Sequence, residues 1–93
     1  MILAKRVHTV GNRTRYWVDY STWLPEGVTV SAFAVSSSSL TLTVDTVAAL
    51  PSGICQFFLN GGALGETATI TLTITDSKTG VKHDTIAVSV LAP

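Results

Sequence analysis

Ten residues, Thr67 to Asp76, read TATITLTITD, with Ala68, Ile70, Leu72 and Ile74 alternating with five threonines. Successive side chains of a strand point to opposite faces, so a strict period of two predicts a strand with one buried face and one open face. Threonine is β-branched and polar, which suits the open side of a pleated surface. DSKTG, Asp76 to Gly80, has turn chemistry, and VKHDTIAVSV then resumes the alternation with Ile86, Val88 and Val90 against Thr85, Ala87 and Ser89. Two such segments around a polar turn predict an antiparallel hairpin.

The pattern recurs upstream. VTVSAFAV places Val28, Val30, Ala32 and Ala34 on one face and Thr29, Ser31 and Phe33 on the other. LTLTV sets Leu40, Leu42 and Val44 against Thr41 and Thr43, after a turn at Ser36 to Ser39. ICQFFL, Ile54 to Leu59, is apolar on both sides, so it is expected as an inner strand. Pro51 and Gly53 break the chain before it, and NGGALG turns the chain after it, with Gly61 and Gly62 free to take positive φ. No stretch keeps helical spacing for three turns. DYSTWLPEG, Asp19 to Gly27, allows only a short 3₁₀ turn ended by Pro25. With Arg13 to Val18 as a further strand, this predicts an all-β antiparallel sandwich of about six or seven strands. Its expected core includes Val28, Val30, Leu40, Leu42, Phe58, Ile70, Leu72, Ile74, Ile86 and Val88. Trp23 is expected to cap one open end, the alternative for Trp17 and Trp23 being interface anchors.

A chain of 93 residues suggests one small domain, divided here into an arm, residues 1–12, and a sandwich, residues 13–93. Only 13% of the residues are charged, against about 25% in average soluble domains, which points to a surface partly covered by partners. Charge is segregated along the chain. Lys5, Arg6, Arg13 and Arg15 precede any acid, while Lys78 and Lys82 share the remainder with six carboxylates. MILAKRVHTVGN also carries Ile2, Leu3, Val7 and Val10. Such a segment adds to the edge of its own domain or docks on another subunit, and docking is the favoured placement. The candidate interface residues are Ile2, Leu3, Lys5, Arg6, Val7, Arg13, Arg15, Trp17 and Trp23.

Chemistry is hard to find. His8 and His83 lie on different segments, and His83 and Asp84 are strand neighbours that face opposite ways. Cys55 sits in an apolar strand and reads as a buried, inert thiol, and with no second cysteine there is no internal disulfide. One cysteine, two distant histidines and scattered acids form no ligand set for zinc or calcium. NGGALGE lacks a lysine and opens a strand where a phosphate loop would open a helix. No enzyme, cofactor or metal is therefore expected. Four cations without interleaved aromatics make a poor nucleic-acid footprint, and no segment reads as a membrane span or a signal peptide.

The order of features has a counterpart. RYWVDYSTWLPEGVTVSAFAV, a Leu-Thr strand, and the run FLNGGALGETATITLTITDSKTGVKHDTIAVSV together resemble the small immunoglobulin-like virion proteins of tailed bacteriophages, in particular the fiber-tail adaptors. The shared parts are the DYSTWLPEG corner, the LNGG turn and the final hairpin with its TG turn, over roughly residues 15–90. The resemblance implies an immunoglobulin-like sandwich with no catalytic residues. It implies a structural protein present in several copies per particle, joining the phage tail or neck, at its adaptor or nozzle, to tail fibers. It also implies a virion location after assembly in the host cytoplasm. Two other readings are a capsid decoration protein of the same fold and a carbohydrate-binding module using Tyr16, Trp17, Tyr20 and Phe33.

Overall fold

The computed structural model describes residues 2–50 and 52–92, and for residues 2–5 their backbone alone. Seven strands follow one another: β1 (Ile2–Thr9), β2 (Arg13–Asp19), β3 (Val30–Ser37), β4 (Leu42–Ala49), β5 (Ile54–Gly61), β6 (Thr67–Asp76) and β7 (Val81–Leu91). They form a two-sheet β-sandwich, one sheet in the order β1-β7-β6-β3 and the other in the order β2-β5-β4. The described residues contain no helix. The corner after β2 is a run of turns, in which the Trp23 amide donates to the Tyr20 carbonyl at 2.9 Å.

The hairpin read from TATITLTITD and its partner is β6-β7, paired antiparallel from Thr67–Ser89 to Thr75–Val81. Its turn is held by Asp76, whose Oδ1 accepts the backbone N–H groups of Lys78 and Gly80, each at 2.8 Å. Ala68, Ile70, Leu72 and Ile74 are buried, as are Ile86, Val88 and Val90 on the neighbouring strand. β5 is the inner strand of the smaller sheet, as its apolar composition predicts, with β2 on one side and β4 on the other. Phe57 and Leu59 point from it into the core, where they meet Leu42. A second, smaller cluster of Tyr20, Cys55 and Ile74 closes one end, with Trp23 packed against it. After β5 the chain turns through Gly61 and Gly62 at φ 86° and 96°. At Gly61 a side chain would bring its Cβ to 2.8 Å from the Thr41 carbonyl oxygen.

Several expectations need correction. Phe58 is not a core residue; its neighbours Phe57 and Leu59 point inward, and Phe58 lies half-buried on the outer face of its sheet. Leu40 is 97% exposed, because β4 begins only at Leu42 and Leu40 belongs to the turn before it. The faces of the third strand are reversed from Ala32 onward. A register shift between Val30 and Ala32 turns Phe33 and Val35 toward the core and leaves Ala32 and Ala34 exposed. Val28 precedes the strand and, like Val30, is half-buried. The sandwich is also not wholly antiparallel, since β1 runs parallel to β7. Of the two placements open to the N-terminal segment, the structure has edge addition within the same chain. Pro51, expected to break the chain before β5, lies outside the described residues.

Candidate interaction surface

The two outer faces of the sandwich differ in chemistry. Threonine, serine and alanine dominate the central outer face of the larger sheet, through Thr69, Thr71 and Thr73 on β6, Ala87 and Ser89 on β7 and Ala34 on β3. Alternation along β2 sends Tyr16 and Val18 inward and Arg13, Arg15, Trp17 and Asp19 outward. Register then sets Arg15 beside Phe58, Trp17 beside Gln56, and Asp19 beside Ile54. On the far side of β5, Asp45 pairs with Phe58 and Ala48 with Gln56. Trp17 is 59% exposed, and Ile54, Leu50 and Val47 are also open to solvent on or beside this face.

Arg13 crosses this sheet. Its guanidinium carbon stands 3.8 Å from the Phe58 ring centroid. Its terminal nitrogen donates to Asp45 Oδ1 at 2.6 Å and to Thr46 Oγ1 at 3.0 Å. The hydrogen bond from Arg13 holds the Asp45 carboxyl below its ordinary range, and the same bond raises the guanidinium. The pair is solvent-exposed, so it orients the face more than it stabilises the fold. Arg15 has no carboxylate partner among the described residues.

Beside this face the sandwich is open. A groove of about 550 Å³ runs between the edges of β1 and β2, with Tyr16, Val18 and Ile86 in its lining and Arg6, Arg15, Trp17 and Asp19 around it. His8, buried on β1, reaches toward Tyr16 of the groove lining. Its Nε2–H donates to the Asn12 carbonyl at 3.0 Å, and its Nδ1 meets the Tyr16 hydroxyl at 3.3 Å. Tyr16 in turn donates to the Val7 carbonyl at 3.2 Å and stacks on Phe57. Burial raises the Tyr16 phenol, partly offset by the charge of Arg6.

Of the residues expected at an interface, the structure thus gathers Arg13, Arg15 and Trp17 on one face and brings Arg6 to the same groove as Arg15 and Trp17. Val7 is exposed on β1, whereas Trp23 sits apart, half-buried and edge-on to Tyr20 at the end of the sandwich. The side chains of Ile2, Leu3 and Lys5 lie outside those described. Val47, Leu50 and Ile54 were not among the expected residues. A single apolar residue near a turn carries no local mark of its exposure; Ile54 comes beside Trp17 through the pairing of β2 with β5, and the Leu50 amide, bonded to the Ile54 carbonyl, follows it.

Candidates for chemistry stay apart. Cys55 is buried, and burial, followed by the nearby Asp19 charge, pushes its thiol up to about 11. Asp84 is buried too, taking a hydrogen bond from the Tyr20 hydroxyl at 3.0 Å and lying 3.3 Å from the Lys82 ammonium. His83 is exposed on the opposite side, as alternation requires, bonded to Thr73. Among the described residues no cluster of histidine, cysteine and carboxylates could hold a metal ion.

No curated protein matches the chain. Residues 9–89 match the family described as podophage GP4 fiber-tail adaptor protein gp77, a span that takes in all of β2 to β6 and most of β7. Matched along most of its length, this two-sheet sandwich belongs to the podophage fiber-tail adaptor family, structural proteins of the phage tail.

Proposed function

We propose that this chain joins the phage tail to its fibers by protein-protein contact, several copies acting in each particle after assembly in the host cytoplasm. The observation that carries this reading is the outer face of the smaller sheet. Trp17, Ile54 and Leu50 are exposed there beside the Arg13–Phe58–Asp45 arrangement, while the other broad face is threonine, serine and alanine. Exposed tryptophan and arginine are the residue types that most often dominate binding energy at protein interfaces. Arg15 and Trp17 are the central contacts in this reading. Arg6 and Val7 on β1 extend the surface along the adjoining edge, and Ile2, Leu3 and Lys5 precede them in the same strand. Trp23 belongs to the packing of the sandwich end. Repetition in several copies turns a modest contact into a firm joint.

The test is reconstitution. Tails assembled without the chain are mixed with purified fibers, with the chain added or left out. Wild-type protein is expected to restore fiber attachment. Trp17→Ala with Leu50→Asp, both at exposed positions, is expected to lower it at least about tenfold while the circular dichroism spectrum is unchanged. Full attachment without the chain, or with the double variant, would contradict this reading.

A further inference from the structure

We infer that the groove between β1 and β2 is the seat of one extended, acidic segment from another protein, added as a fourth strand beside β2. The inference rests on the adaptor reading and specifies how a partner is held. Its first ground is topological. Four strands, β1-β7-β6-β3, face only three, β2-β5-β4. The sheets come into contact along β3 and β4, whereas the groove of about 550 Å³ lies at the opposite side, between β1 and β2. β1 therefore overhangs the smaller sheet, and the position next to β2 is vacant. The second ground is the backbone. β2 is an edge strand, hydrogen-bonded only to β5, and its other side presents donors and acceptors to a newcomer. A strand added there uses those groups for affinity and places alternate side chains against Tyr16, Val18 and Ile86.

Charge selects the occupant. Two guanidinium groups, of Arg6 and Arg15, line the groove against one carboxylate. That carboxylate, Asp19, already accepts the Ser21 amide at 2.8 Å. An incoming strand that alternates apolar residues with acids suits both the floor and the rim. A second copy of this chain does not supply one. Its exposed edge strand β3, VSAFAVSS, holds no acid, and the described acid of β4, Asp45, is taken by Arg13. β1 holds no acid, Asp76 and Asp84 are buried, Glu66 is held by Thr41 and the Ala63 amide, and Glu26 stands alone in the turns between β2 and β3, where it is not part of an extended strand. The segment must come from a different protein.

The experiment uses the full chain, labelled for amide hydrogen exchange. The probes are two capped nine-residue peptides, one alternating valine with aspartate and the other valine with lysine. The aspartate peptide is expected to slow exchange at alternate β2 amides between Thr14 and Asp19 by at least about tenfold, and Arg15→Glu to abolish the effect. Arg15 is exposed, so that variant is expected to fold. Equal protection by the lysine peptide, protection confined to the β3 or β4 edge, or no protection at β2 by either peptide would overturn the inference. So would self-association of the chain alone that Arg15→Glu disrupts, since the occupant would then be a second copy. In the tail and fiber reconstitution, attachment that persists with Arg15→Glu sinks the strand-addition inference and removes Arg15 from the contact set, while the joining role itself stands on the Trp17→Ala, Leu50→Asp result. Attachment that never depends on the chain sinks the adaptor reading itself.

Discussion

At the scale of single residues, neighbours of the same chemical type have opposite roles. Phe57 and Phe58 are adjacent, yet Phe57 fills the core and Phe58 carries the Arg13 guanidinium outside. Cys55 behaves as a small hydrophobe. Its thiol is raised to about 11 by burial, so the neutral form is favoured in the folded state. The stability tied to that proton is fully present below the unfolded value of about 8.5 and is lost as pH rises toward the folded one. A disulfide exchange reagent at pH 8 is accordingly expected to label Cys55 slowly in native protein and at once in denaturant. Rapid labelling of the native chain would show the site to be open. Leu72, fully buried between the sheets, is the sharper probe of the core. Leu72→Asp is expected to unfold the domain, because an unpaired buried charge costs several kcal/mol, comparable to the roughly 5–15 kcal/mol that holds such a domain together. A soluble Leu72→Asp protein with a cooperative melt would contradict the assignment of that face.

Among the elements, β1 departs most from what local pattern can convey. Seven residue pairs, from Ile2–Thr85 to Thr9–Leu91, set it parallel to β7, and His8 then ties it to Tyr16 and Asn12. Removing residues 1–9 would expose β7, whose Ile86, Val88 and Val90 alternate along a new free edge. The truncated protein is expected to melt lower, by roughly 4–8 °C for each kcal/mol lost, and to self-associate. An unchanged melting temperature and a monomeric mass in sedimentation would show that β1 is dispensable to the fold. β3 illustrates a different limit. Its alternation is legible, but the register shift between Val30 and Ala32 reverses which set faces inward, and Phe33 and Val35 join the core. A period of two specifies that faces differ, and a bulge can reassign them without changing the pattern on either side.

Across the whole molecule, carboxylates help anchor the ends of strands. Asp45 holds Arg13, Glu66 accepts from Thr41 and from the Ala63 amide, and Asp19 takes the Ser21 amide. All three are shifted below their ordinary range: Glu66 by hydrogen bonds from Ser39 and then Thr41, Asp19 by those from Ser21, and Asp45 by that from Arg13. A lowered folded pKa contributes stability above the unfolded value, about 4, and that contribution disappears as pH falls through the lower folded values. Melting temperature is therefore expected to stay nearly level from pH 7 down to about 5 and to fall below about pH 4. Added salt should weaken the dependence most at Asp19, the exposed one of the three. A melting temperature that rises on acidification would mean these carboxylates repel more than they bind.

Local chemistry alone determined the strand character of β2 to β7 and the inner position of β5. It also determined the turns at Gly61 and Gly62 and the buried set on β6 and β7, because side-chain alternation and turn residues act over a few positions. The burial of Cys55 was readable in the same way, from the apolar residues around it. The basic residues were visible as a cluster near one end, but not that Arg13 would be spent on Asp45 or that Arg6 and Arg15 would line the same groove. The Arg13–Asp45 pair joins positions far apart in sequence, and the groove forms only where two strands come together. They depend on β2 pairing with β5, on β1 running beside β7, and on three strands lying opposite four. No residue encodes such an arrangement by itself, since it follows from how two sheets bury their apolar faces together, and only the tertiary structure decided it.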